Sequence, residues 1–274
     1  MSDAEDTIRY NKERWEELAR ANVAYSQPFL DLDAGGALRM LDPDGMIGEV
    51  KGKRVLCLAS GGGQQSAAFA LLGAEVTVFD LSETQLERDR IAAAHYGVSI
   101  QAEQGDMRDL SRFEPASFDL VYHAYSINFV PDVRPVHREV ARVMQPGGLY
   151  RMEWFNPFVQ TVDEASWNGE GYLLKHAYVN GRRLTELFPH WDVADEQGVN
   201  QRIASPHEYV HALSAVVNSL AACGFVIFHA REDVGGEEQA EPGSWAHFVR
   251  VTAPYLTFWT RYRPDILIPQ VSDR

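Results

Sequence analysis

The chain has 274 residues, 45% hydrophobic and 23% charged, enough to bury a full core in one large α/β domain or two small ones. Its 39 acidic against 25 basic residues give a formal charge of -14, which repels phosphate backbones and anionic membrane surfaces and argues against both as partners. The amino-terminal "MSDAEDTIRYNKERWEELA" lacks the basic start and apolar core of a secretory signal, and no apolar run approaches the ~18 residues of a membrane span; with Cys57 and Cys223 reading as small buried hydrophobes of a reducing compartment, a cytoplasmic protein is expected.

A helix is expected over residues 7–21, with Ile8, Trp15, Leu18 and Ala19 on one face, docking as a cover. From residue 54, short β-branched runs alternate with longer amphipathic stretches, the pattern of a parallel sheet flanked by helices. Strands are predicted at 54–59, 75–79, 99–103, 118–123, 149–154, 225–230 and 254–262, and helices at 64–72, 83–96, 133–144 and 206–222. Pro146-Gly147-Gly148 is read as the stop of the third of these helices. Residues 156–205 form an aromatic-rich insert too long for a plain connection and are expected to cap a binding site. The chain thus divides into a helical cover (1–50), a nucleotide-binding core (51–155), the insert (156–205) and a closing helix and strand pair (206–274), all in a single domain.

"VLCLASGGGQQSAAFALLGAEVTVFDLSETQ" places Gly61-Gly62-Gly63 between a buried strand and a helix, where a backbone must bend sharply or approach a ligand closely. A nucleoside-triphosphate loop would need a lysine after the last glycine, and Gln64-Gln65-Ser66 stands there instead. The dinucleotide fingerprint fits in part, through Gly61, Gly63 and the later acid Asp80, with Ser66 in its third glycine position. S-adenosylmethionine (SAM) has a methionine, a ribose and an adenine, and the chain offers a feature for each in order. These are the glycine loop, Asp80 for the ribose hydroxyls, and Asp106 with Met107 in "QGDM" for the adenine.

At these residues the chain resembles the class I SAM-dependent methyltransferases of small molecules. "VLCLASGGG" is similar to their glycine motif, "VTVFDLSETQLERDR" to their ribose-binding strand and helix, and "GDMRDL" to their adenine turn. "FDLVYHAYSINFVPD", "EVARVMQPGGLYRMEW", "ACGFVIFHA" and "PYLTFWTRYRP" resemble the remaining strands. The resemblance implies a Rossmann-like sheet of seven strands, mostly parallel, with the last inserted antiparallel beside the fifth. It also implies SAM as cofactor and direct in-line methyl transfer to a small-molecule acceptor. The cofactor residues it implies are Tyr25, Ala59, Ser60, Gly61, Gly63, Gln64, Gln65, Asp80, Leu81, Gln85, Asp106, Met107 and His123. Two departures stand out: Cys57 occupies the place of the family's first-strand acid and Ala59 that of its first loop glycine. Gln64 and Gln65 either reach the methionyl carboxylate or cap the helix start. Gly61 and Gly63 are expected to be bare because the cofactor lies against them. A nicotinamide-dependent oxidoreductase and a non-catalytic SAM-binding protein are the alternatives.

His123 and Tyr125, at the end of the fourth strand, are the candidate catalytic residues, with His123 as a base. Trp154, Asn156, Tyr172, His176 and Tyr178 are expected to face the acceptor. "SPHEYVH" contains the H-E-x-x-H spacing of zinc proteases, but Ser205, Pro206 and Glu208 also fit a helix capping box, and no third ligand stands in a recognised relation to His207 and His211. The capping reading is preferred and no metal is expected.

Overall fold

The computed structural model describes residues 3–195, 197–235 and 239–266. Helices α1 (Asp3–Arg20) and α2 (Ala34–Leu41) precede the sheet. Then follow β1 (Arg54–Leu58), α3 (Gln65–Leu71), β2 (Glu75–Asp80), α4 (Glu83–Tyr96), β3 (Ile100–Gln104), β4 (Phe118–His123), α5 (Val133–Val143) and β5 (Met144–Phe155). A hairpin of β6 (His190–Ala194) and β7 (Asn200–Ala204), then α6 (Leu213–Ala222), β8 (Phe225–Glu232), α7 (Trp245–Thr252) and β9 (Tyr255–Tyr262) complete the order.

Seven strands form one sheet in the order β3-β2-β1-β4-β5-β9-β8. The strands from β3 to β5 pair in parallel, and β9 runs antiparallel between β5 and β8, as the family resemblance implies. Alternate residues of β1 feed two cores. Val55 and Cys57 pack with Val78, Leu86 and Trp259 on one face, and Leu56 and Leu58 with Tyr150, Trp154 and Val216 on the other. Burial on both faces is why β1 reads as an unbroken apolar run. Helix α4 has local punctuation as well: Ser82 Oγ accepts from the Gln85 amide at 3.2 Å, and Gly97 ends the helix at φ 65°. Among the described residues no helix is long and apolar enough to cross a membrane.

Three expectations are corrected. The helix predicted at 206–222 begins only at Leu213, and residues 205–212 form an extended strap. Pro146-Gly147-Gly148 lies inside β5, because α5 already stops at Val143; the register there shifts between the Phe118–Met144 and Leu120–Leu149 pairs. The insert contains the β6–β7 hairpin, and α2 and α7 were not foreseen.

Strand order reverses between β1 and β4, where the chain stops building toward β3 and crosses to the other side. A sheet of this kind leaves a crevice outside the carboxyl ends of those strands.

Candidate active site

The ends of β1 to β5 open on one cavity of about 1180 Å³. Its wall is formed by Ala59, Ser60 and Gly61 after β1, Asp80 and Leu81 at β2, Asp106 and Met107 after β3, Tyr125 after β4, and Glu153 and Phe155 in β5. Helix α1 covers it with Asn11 and Trp15, and Tyr25, the hairpin residue Trp191, the strap residue Glu208 and Trp245 of α7 close the rest. The cover is fixed by specific bonds. Asn11 Nδ2 donates to the Phe129 and His207 carbonyls at 3.0 Å each, its Oδ1 accepts from the His207 amide at 2.6 Å, and Leu18 packs on Val193 and Ile203.

Asp80 accepts the Gly61 amide on one carboxylate oxygen and the Ser82 amide on the other, both at 2.9 Å. Burial raises its pKa while these amides pull it down. Each oxygen keeps a further lone pair for a ligand hydroxyl. Gln85 Oε1 beside it is buried and has no hydrogen-bond partner among the described residues, and Gln85 lines the cavity. Asp106, in contrast, is already held by Arg108, whose Nη2 donates at 2.7 Å and whose Nε donates at 3.0 and 3.1 Å.

The glycines are bare mainly because of the protein itself. A Cβ on Gly63 would stand 2.6 Å from the Arg88 carbonyl and 2.9 Å from Pro28, and the residue has φ +77°. On Gly61 a Cβ would stand 2.7 Å from Gln85 Cβ. Gly63 does not line the cavity, so the expected cofactor contact there is replaced by packing on α4. Ala59 adopts φ 45°, a left-handed conformation that suits the glycine it replaces.

Behind the loop lies a residue that the sequence reading missed. Asp89 of α4 accepts the Gly62 and Gly63 amides at 3.0 Å each, together with the Ser66 hydroxyl, and burial pushes its pKa up to about 7 against the pull of those donors. The available signal was that Gln85, Arg88 and Asp89, all polar, share the buried face of α4 with Leu86, Ala92 and Ala93.

The cavity gathers twelve of the expected residues: Tyr25, Ala59, Ser60, Gly61, Gln64, Gln65, Asp80, Leu81, Gln85, Asp106, Met107 and Tyr125. The Gln64 amide, however, donates to the Tyr25 and Gln27 carbonyls at 2.9 and 2.8 Å, which ties the cover to the loop. The other expected residues fall elsewhere. His123 is fully buried, its Nδ1 paired with the Tyr150 hydroxyl at 3.0 Å, and burial pushes its pKa down to about 3, which does not suit the base role. Trp154 is core, edge-on to Phe258 at 4.7 Å. Asn156 holds the turn after β5, donating to the Ala253 carbonyl at 3.1 Å and accepting from the Phe158 amide at 3.1 Å. Tyr172 pairs with His247 Nδ1 at 2.9 Å, and His176 is exposed outside the cavity.

Tyr178 explains the late start of α6. Its hydroxyl accepts from the Leu213 amide at 2.9 Å, and Asn180 Oδ1 accepts from Ala212 at 2.9 Å, so the insert caps the helix in place of Ser205. In the strap, His207 stacks on Tyr10 at 4.0 Å and pairs with Thr185 Oγ1, while His211 Nε2 lies 3.1 Å from the Ile127 carbonyl. The two histidines are not on one helical face. Glu208, freed from any capping role, lines the cavity, where it accepts from the Tyr125 hydroxyl and, at 3.1 Å, from Gln160 Nε2.

The family described as methyltransferase domain matches residues 56–152, from β1 through most of β5. An uncharacterized methyltransferase of Bacillus subtilis, YbaJ, is 36% identical over 192 residues, 68% of this chain and 71% of that protein. The chain belongs to the methyltransferase family. This methyltransferase is also 29% identical over 148 residues to a ubiquinone biosynthesis O-methyltransferase of Bordetella avium, a match covering 47% of this chain and 61% of that one. Among solved structures, an S-adenosylmethionine dependent methyltransferase from Mesorhizobium loti shares the fold with a TM-score of 0.58 at 23% identity, covering 85% of this chain and all of that one. The methyltransferase thus shares that fold, and its own cavity at the carboxyl edge of the sheet is roofed by α1, the insert, the strap and α7.

Proposed function

We propose that the cavity binds SAM along the ends of β1, β2 and β3 and seats a small acceptor under the aromatic roof beside β4, β5 and β9. Asp80 carries this reading: its carboxylate stands at the cavity wall, both oxygens anchored by backbone amides, aimed where two ribose hydroxyls can donate. Leu81 and Met107 are suited to flank the adenine, with Asp106 held in place by Arg108. Gln65 and the backbone at Ala59 to Gly61 are left for the methionyl end, since Gln64 is occupied by the cover.

Bound SAM supplies a methyl group already activated on a sulfonium. The chain's own work is to align the acceptor, and the roof residues Trp15, Tyr25 and Trp191 exclude water. No catalytic triad is required, and His123 lies outside the cavity. An acidic net charge and buried Cys57 support a cytoplasmic enzyme acting on small molecules instead of nucleic acid.

Calorimetry tests the reading. SAM and S-adenosylhomocysteine should bind and NAD and ATP should not. Asp80→Ala should weaken SAM binding by about 1.5 to 3 kcal/mol, the worth of hydrogen bonds to a charged group, in a protein that remains folded by circular dichroism. NAD binding without a SAM response would overturn the reading, and an unchanged SAM affinity in the variant would remove Asp80 from it.

A further inference from the structure

The acceptor side of the cavity combines aromatic rings with a carboxylate that lacks a counter-ion among the described residues. Tyr125, just after β4, Phe155 of β5 and Tyr255 of β9 stand edge to face, with centroids 6.3 Å apart for Tyr125–Phe155, 5.4 Å for Tyr125–Tyr255 and 5.5 Å for Phe155–Tyr255. All three line the cavity, and Trp245 adds a fourth ring 6.4 Å from Tyr255. The π faces of such rings attract cations.

Two of the carboxylates that line the cavity, Glu153 and Glu208, act electrostatically on Tyr125. Glu153 is ion-paired with Arg151 and accepts from Thr257 Oγ1 at 3.0 Å. Glu208 has only the neutral Tyr125 hydroxyl and Gln160 amide as partners, and among the described residues no cationic side chain lies within ion-pairing distance of it. Burial raises its pKa. A carboxylate withdrawn from water without a cation is costly, and at a cavity wall a ligand can supply the missing charge. The arginines lining the cavity are Arg108, which is paired with Asp106, and Arg202; no lysine lines it among the described residues. Six carboxylates against these two arginines leave the lining negative, which disfavours an anionic acceptor.

We propose that this is a subsite for a protonated amine, so that the methyl acceptor is an amine whose ammonium rests among Tyr125, Phe155 and Tyr255 with its charge on Glu208. The inference rests on the SAM-site reading above and deepens it by naming the acceptor class. An ammonium has no lone pair to offer. Its proton passes to a Glu208 oxygen, an N–H bond breaking as an O–H bond forms, and the nitrogen lone pair is released for methylation. The sulfonium of SAM is also a cation, so the two claimants must be separated by experiment.

The test is calorimetry on the full chain. S-adenosylhomocysteine and SAM are titrated first; if neither binds, the SAM-site reading fails and the inference goes with it. The S-adenosylhomocysteine complex is then titrated with phenethylamine, phenethyl alcohol and phenylacetate, which match in size and differ in charge. The amine should bind at least tenfold more tightly than the other two. Glu208→Gln should abolish that preference while leaving the affinities for the alcohol, SAM and S-adenosylhomocysteine unchanged. Phe155→Leu, which removes a ring without altering charge, should weaken the amine severalfold and spare the alcohol, and it serves as the second probe if Glu208→Gln does not fold. The proposal is overturned if the amine shows no preference or no binding, or if the amine is unaffected by both variants. It is equally overturned if Glu208→Gln lowers affinity for SAM but not for S-adenosylhomocysteine, which would assign the cage to the sulfonium.

Discussion

Asp89 holds the glycine loop through three donors, the Gly62 and Gly63 amides and the Ser66 hydroxyl, and its proton affinity is therefore linked to folding. Its pKa is raised from an ordinary 3.8 to about 7, chiefly by burial, so the folded chain retains a proton that the unfolded chain releases. The resulting stability is fully present below about pH 4 and is lost as pH rises through about 7. The melting temperature should accordingly fall across that window, and Asp89→Asn, which cannot ionise, should show a flatter profile; equal slopes in the two proteins would disprove the linkage. The place of Asp80 at the cavity wall was legible in the sequence because it closes an apolar strand, and open sheets of this type leave their crevice at such ends. Asp89 was not, since the polar residues it shares a face of α4 with mark it only once that face is known to be buried, and the amides it accepts lie more than twenty residues away.

At the scale of elements, α4 is the post to which the cover is tied. Arg88 is 8% exposed and donates to the Ser26 carbonyl and hydroxyl, the Ala19 carbonyl and, at 2.8 Å, Asn22 Oδ1. Arg88→Ala leaves these acceptors buried without a charged donor, so a loss of about 3 kcal/mol or more is expected in denaturant unfolding. Hydrogen exchange should show the amides of α1 losing protection before those of β1; protection of α1 equal to the wild type would refute the tether. The same scale explains what was legible. The sheet and α3 to α5 declared themselves by alternation, because strands apolar on both faces, such as β1, are separated by longer helical stretches. The strap did not, because Ser205-Pro206-His207-Glu208 satisfies a capping box as sequence, while the actual cap of α6 comes from Tyr178 and Asn180, more than thirty residues earlier. Proline at 206 suits an extended segment equally well. Misreading the strap as a helix hid Glu208 from the candidate site.

Across the whole molecule, the sheet joins segments made at very different times. Strand β5 pairs with β4, its neighbour in sequence among the strands, and on its other edge with β9, where Leu149 meets Arg261 and Phe155 meets Tyr255. Non-local pairings of this kind slow folding, because the long intervening loop must be closed before the contacts that reward it can form. During synthesis at about 5 to 20 residues per second, the free edge of β5 waits on the order of ten seconds for its partner. For that time the strand bearing Tyr150, Met152 and Trp154 offers an open row of amides and carbonyls to any other chain nearby. Chains ending at residue 252, before β9, should therefore be recovered in the pellet and chains extending through β9 in the supernatant; equal solubility would mean that β5 is protected by something other than its late partner.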